Sequence, residues 1–357
     1  MDRHVLASPI VLAGLTLENR LVSAPMAGVS DRPFRRLVRE AGAALVFPEM
    51  VSDKALLMGN RKTRDLAAPY PGEKPFPVQL LGRDPQTLAD AALKAVECFG
   101  VDLVDINMGC PVPKVVSNGE GAALLKEPTL CGRIIERVRR AVPVPVTCKM
   151  RLGWDRPRGT ELARVAADAG AAFITFHARL RTDSYAVPAR WTALAEIVQA
   201  VPVPIVGNGD VLEPEDALRM LDETGCAAVM VARGCRGNPW IFSRALRLAR
   251  RGDPGPPPSA RERISAALRH LEMLAADKGE RRAVLEMRGH GSWYIKGLPG
   301  AAAARARLMK ARTVEEMRWT LTFYLDTLEG RRGDAPAAED LAPAGEGDGP
   351  ECPTSRG

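Results

Sequence analysis

A chain of 357 residues with 46% hydrophobic content has room for one large α/β domain plus a smaller unit, and its core needs no staples. No apolar run is long enough for a membrane span and the N-terminus has no signal-peptide core, so the expected location is cytoplasmic. Seven Cys, without CxxC or CxxH spacing, argue against both a disulfide framework and a zinc site. The formal net charge of +7 conceals a split: residues 259–332 carry fifteen Lys/Arg against nine Asp/Glu, while residues 334–357 carry six acids against one Arg. A basic body suits a polyanionic partner, RNA or DNA, although an Arg-rich composition alone gives the same balance.

Taken in chain order, one theme recurs: a short apolar or β-branched run, a polar loop, then an Ala/Leu/Arg-rich helical stretch. Strands are expected over residues 21–24, 44–47, 77–81, 103–107, 144–150, 172–177, 203–208 and 227–232. Helices are expected over 32–41, 85–99, 123–141, 159–169, 189–200 and 214–223, several opening on Asp or Glu followed by Pro and several closed by Gly. About eight strands alternating with helices predict a (β/α)8 TIM barrel. An open doubly wound sheet would normally carry GxGxxG after its first strand, and Ala24-Pro25-Met26-Ala27-Gly28 is not that. The barrel is assigned to residues 1–250. The proline run at 251–258 reads as a stiff linker. Four helical stretches (260–276, 281–296, 301–311 and 314–329) predict a small all-α domain over 259–332, and 333–357 is expected to be disordered.

Active sites of parallel barrels lie at the C-terminal ends of the strands. Here those ends carry Pro25, Met26 and Ala27, then Gln79, then Asn107 and Cys110, then Lys149 and Arg151, then His177 and Arg179. Gln79 alone could simply bond a neighbouring backbone, and a lone His such as His177 is as readily a satisfied structural residue. Lys149 inside an apolar strand calls for a partner, a bound anion or a cofactor carbonyl. The last two strands end in Asn208-Gly209-Asp210 and Ala232-Arg233-Gly234, small-residue loops of the kind that hold phosphate in barrels. Phosphate at that edge, with Lys, Gln and Asn across the mouth, suits a flat phosphorylated cofactor, and FMN fits better than a sugar phosphate. Cys110 sits between Gly109 and Pro111 with neither an acyl-transfer triad nor a metal spacing around it; beside a flavin, such a thiol can give a proton.

The stretches from Ala24 to Arg35, Val78-Gln79-Leu80, Asn107-Met108-Gly109-Cys110-Pro111, Lys149-Met150-Arg151-Leu152-Gly153-Trp154, His177-Ala178-Arg179 and Trp293-Tyr294-Ile295-Lys296-Gly297-Leu298-Pro299-Gly300 together resemble the bacterial tRNA-dihydrouridine synthases. The resemblance runs from about residue 9 to residue 328. It implies an FMN-bound barrel followed by a helical domain that helps hold tRNA. By position, Pro25, Met26 and Ala27 would line the flavin, Gln79 and Lys149 would contact its ring with His177 nearby, and Asn107 would face the flavin or the flipped base. Asn208, Gly209, Asp210, Ala232 and Arg233 would surround the ribityl and phosphate. In the implied reaction NADPH reduces FMN, hydride passes to C6 of a uridine, and Cys110 protonates C5; extruding the base fits an enzyme acting on a stacked ring. Ala178, Leu180 and Ala232 depart from the family's commoner Gly, Thr and Gly. Two other readings remain at this point: a flavin barrel acting on a free metabolite, and an RNA-binding protein without catalysis. No protein partner can be inferred.

Overall fold

A computed structural model describes residues 3–331, so the tail expected to be disordered lies outside the described residues. Nine short strands form the main sheet: β1 (Leu21–Ser23), β2 (Leu45–Val46), β3 (Val51–Ser52), β4 (Pro77–Leu81), β5 (Leu103–Met108), β6 (Val146–Arg151), β7 (Ile174–His177), β8 (Ile205–Asn208) and β9 (Ala228–Val231). They pair in the order β2-β1-β9-β8-β7-β6-β5-β4-β3, every pair parallel. The two end strands, β2 and β3, are separated only by Phe47-Pro48-Glu49-Met50. They are one strand position broken in two, the first half pairing with β1 and the second with β4. Pro48 explains the break, since it has no N–H to give to a ladder. Eight strand positions therefore close into the expected (β/α)8 barrel, with all eight expected strands present and β3 the one addition.

Period-two alternation decides which residue faces where. Val104, Ile106 and Met108 of β5, with Val146, Cys148 and Met150 of β6, belong to the outer core under the helices. Leu103, Phe173, Val206, Ala228 and Met230 instead pack together with Leu12 and Leu17. Those two leucines come from an antiparallel hairpin, Ile10–Leu12 with Leu15–Leu17, which plugs the lumen at the N-terminal ends of the strands. The sequence pattern did not predict this hairpin. One helical expectation also changes. Pro128 divides the expected 123–141 helix into a 3-10 turn, Gly121–Lys126, and an α-helix, Pro128–Ala141. A helix not foreseen, Trp240–Arg251, closes the barrel before Gly252 turns the chain at φ 77°.

Residues 253–259 are neither helix nor strand, as their prolines require. Four helices follow: Ala260–Lys278, Glu280–Tyr294, Ala301–Lys310 and Val314–Leu328. They enclose a core of their own that includes Leu271, Leu274, Met287, Leu308, Met317 and Leu321. The first of them packs on the barrel helix Arg32–Glu40, where Arg269 pairs with Glu40 at 2.6 Å and Arg32 with Asp277 at 2.9 Å.

Near this contact, Arg35 is buried to 1% exposure. Its guanidinium meets Glu73 Oε1 at 2.6 Å and Oε2 at 2.8 Å and also donates to the carbonyls of Ser30 and Ala68. Removing one member of such a pair strands a charge away from water, which typically costs about 3–5 kcal/mol. Glu73→Ala is therefore expected to lower the unfolding free energy by about that amount, measured by urea titration against the parent chain.

Candidate active site

The C-terminal halves of the strands point polar side chains into the lumen at alternate positions. Register brings Gln79 beside Asp105, Asp105 beside Thr147, Asn107 beside Lys149, Arg151 beside His177, and His177 beside Asn208. A cavity of about 500 Å³ opens above them. Every residue given a site role from the sequence lines it: Cys110, Pro25, Met26, Ala27, Gln79, Asn107, Lys149, His177, Asn208, Gly209, Asp210, Ala232 and Arg233. A larger groove of about 920 Å³, bounded by Lys54, Arg83, Lys114 and Arg133 with Glu120 and Glu127, lies on the surface outside the lumen. Charges of both signs are spread along it, whereas the polar groups of the lumen converge.

One hydrogen-bonded chain runs through the lumen. Asp105, at 1% exposure, accepts from Gln79 Nε2 at 2.7 Å and from Thr147 Oγ1 at 2.6 Å. Gln79 Oε1 accepts from Asn107 Nδ2 at 2.8 Å, and Asn107 Oδ1 accepts from the backbone N–H of Cys110 at 2.9 Å. The Cys110 carbonyl in turn accepts from Ala122 N–H at 3.0 Å. Gly121, at φ 59°, passes so close beneath that a Cβ there would lie 2.8 Å from that carbonyl. Arg151 Nε donates to the Gly109 carbonyl at 3.0 Å. Cys110 is thus held by its backbone from three sides. Asp105, Thr147 and Arg151 were not assigned roles from sequence, although each lies two residues from a chosen residue on the same strand and so shares its face.

The lumen is electropositive. Lys149, Arg151, Arg233 and Arg236 line it, and Arg179 reaches Asp210 at its edge. Burial pulls the Lys149 pKa down to about 8, with Arg151 adding to the shift. His177 falls well below its ordinary range through burial and the surrounding Lys149, Arg151, Arg179 and Arg233, so it is a neutral imidazole at pH 7. Asp105 is raised to about 6 by burial, against the bonds from Gln79 and Thr147. Burial also raises Cys110, outweighing Arg151 and Lys149, so the thiol keeps its proton at neutral pH. That state suits an acid better than a nucleophile.

The loops after β8 and β9 make the far wall. Asn208 is fixed by its bond to the Met230 carbonyl at 2.7 Å and accepts from Lys149 Nζ at 3.2 Å. Gly209 has φ 123°, and a Cβ there would come 3.0 Å from the His177 ring. Asp210, a non-glycine at φ 58°, holds Arg233 at 2.8 Å and Arg179 at 2.6 Å. Arg233 is therefore oriented toward the cavity by a carboxylate and is not a loose cation. Tyr185, on a loop without any motif, lines the mouth under Arg233, whose guanidinium carbon is 4.0 Å from the ring centre. The donor set fits a phosphorylated flavin: cations and close-approach glycines at one wall, and amide, amine and imidazole groups across the lumen.

The chain is similar to known proteins over most of its length. Residues 22–328 match the family model described as Dihydrouridine synthase (Dus). The chain is 41% identical over 311 residues to tRNA-dihydrouridine synthase B of Pseudomonas aeruginosa, covering 86% of this chain and 93% of that protein. It is 39% identical over 324 residues to a protein named probable tRNA-dihydrouridine synthase 1 of Synechocystis sp., covering 90% of each. Among solved structures, TcOYE with pHBA aligns at TM-score 0.52 and 13% identity over 72% of this chain and 96% of its own, a likeness of fold alone.

The lowered Lys149 pKa makes a stability prediction. The ammonium is disfavoured in the folded state, so it opposes folding fully below pH 8, and the penalty fades as pH rises toward 10.5. Lys149→Met should therefore raise the unfolding free energy of the ligand-free protein at pH 7 by about 1–3 kcal/mol. Urea titrations at pH 7 and above 10 should show that gain at the lower pH and its loss at the higher.

Proposed function

The chain belongs to the dihydrouridine synthase family, and on that premise we propose that it reduces the C5=C6 bond of specific uridines in tRNA to dihydrouridine, with FMN as cofactor and NADPH as reductant. The observation that supports this most is that all thirteen residues selected from sequence meet in one cavity with a protonated thiol at its rim. When bound, FMN supplies the hydride delivered to C6.

The chain's own residues do the rest. Pro25, Met26 and Ala27 give the apolar wall against which a flat ring can lie. Gln79 and Lys149 offer an amide and an ammonium to the ring's carbonyl edge, with neutral His177 beside them. Asn208, Gly209, Asp210, Ala232 and Arg233 form the wall for the ribityl chain and phosphate, and Arg233 carries the balancing charge. Cys110, held through Asn107 and Ala122, presents its S–H at the rim and gives its proton to C5. A raised thiol pKa keeps that proton in place until the substrate takes it. The basic helical unit, Ala260–Leu328, meets tRNA phosphates in this reading and sets which uridine reaches the lumen.

Cys110→Ala tests the assignment. The purified variant should stay yellow and keep oxidising NADPH, because the thiol is not needed to hold the flavin, while dihydrouridine formed in tRNA should drop at least about a hundredfold. Dihydrouridine is quantified by mass spectrometry of digested tRNA. Unchanged product formation would remove Cys110 from its role, and a colourless parent protein that takes up no FMN would overturn the flavin reading itself.

A further inference from the structure

We infer that Asp31, His270 and His290 form a binding site for one divalent cation of the zinc class that fastens the barrel to the helical unit. The inference is independent of the uridine-reductase reading. Asp31 caps the barrel helix Arg32–Glu40, His270 lies on Ala260–Lys278 and His290 on Glu280–Tyr294, so the three donors come from both halves of the molecule. Their ligand atoms all lie within 4.8 Å of one another, and their exposures are 5%, 0% and 1%.

The hydrogen bonding around them is incomplete in a particular way. Among the described residues, neither nitrogen of His290 has a hydrogen-bond partner, nor does Nε2 of His270. Buried imidazole nitrogens are rarely left so. Phe34 and Trp293 flank the His290 ring, so the surroundings supply apolar carbon where a donor or acceptor is needed. His270 has its Nδ1 3.4 Å from the Tyr294 hydroxyl, which turns Nε2 toward Asp31 Oδ1 at 3.9 Å. That is the arrangement of a metal-binding imidazole whose second nitrogen is oriented by a neighbouring group.

Lys278 is the competing cation. Its ammonium meets Asp31 Oδ2 at 2.9 Å and also pairs with Glu286, but neither imidazole is hydrogen-bonded to it. Lys278 therefore accounts for one oxygen of Asp31 and for none of the three unpartnered nitrogens. Asp31 Oδ1, which takes one bond from Phe34 N–H at 2.8 Å, remains turned to the histidines. A cavity of about 630 Å³ bordered by Asp31, Arg32, Asp277 and Lys278 gives solvent a route to the carboxylate. Two imidazole nitrogens with one carboxylate oxygen select zinc and its neighbours over calcium or magnesium, which prefer all-oxygen shells. Cysteine spacing could not have revealed this site, because positions 31, 270 and 290 contain no Cys and lie far apart in sequence.

The test uses the full-length chain without a polyhistidine tag, dialysed and analysed for metals. About one equivalent of zinc per chain is expected, and roughly none in His270→Gln or His290→Gln. A chelator should lower the parent's thermal midpoint by several degrees, zinc should restore it, and both variants should be insensitive to either. Should a variant fail to fold, Co2+ titration of the chelated parent decides alone: the visible absorption of a tetrahedral nitrogen–oxygen site supports the inference, and its absence overturns it. Substoichiometric metal with a midpoint indifferent to added zinc overturns it, as does full metal retention by both variants.

Discussion

A carboxylic acid in the centre of a barrel lumen is the constraint from which the rest of the site follows. Asp105 cannot keep a charge there without donors, and Gln79 and Thr147 supply them. With the NH2 end of the Gln79 amide turned toward Asp105, its oxygen faces Asn107. Once Asn107 has given an N–H to that oxygen, its own oxygen must face the loop, where it receives the Cys110 N–H. Each amide's direction is dictated by the one below it, so a group deep in the sheet fixes the backbone of a thiol at the surface. Such a chain gains from the low dielectric around it only while every member is satisfied.

The same logic of shared fixtures links the two halves of the molecule. The loop after β9 reaches both: Arg236 lines the cavity and also lies over the Trp293 ring at 4.9 Å, while Gly237 packs so tightly that a Cβ would fall 2.4 Å from the Trp293 backbone. Arg269 with Glu40 and Lys278 with Asp31 add charge-assisted contacts along the barrel helix. The helical unit is therefore docked against the very elements that shape the cavity rim. In the proposed reading, whatever nucleic acid it grips is presented at a fixed angle to the lumen.

Much of this was legible in the sequence because repeating patterns carry it. Alternation of apolar runs and amphipathic stretches gave the barrel, and the residues at strand ends gave the cavity lining, since strand ends in a parallel barrel converge whatever the loops do. The hairpin over residues 10–17 was missed because three-residue strands with little alternation carry almost no signal. Pro128 went unread as a helix break. Asp105 was in plain sight beside Asn107, yet its partners, Gln79 and Thr147, are neighbours only through strand register, which no local pattern reveals. Tyr185 and the Asp31–His270–His290 cluster depend on tertiary packing alone.

The leucine plug at the foot of the barrel decides how traffic can move. Among the described residues, Leu12 and Leu17 fill the foot of the lumen alongside Phe173 and Met230, so the cavity's door lies at the C-terminal ends of the strands. Anything that reaches the Cys110 rim must enter and leave by that door. In the proposed reading, a nicotinamide and a tRNA nucleotide would then compete for the same threshold and could occupy it only by turns. A closed floor makes turnover a queue, in which the departure of one visitor is a condition for the arrival of the next.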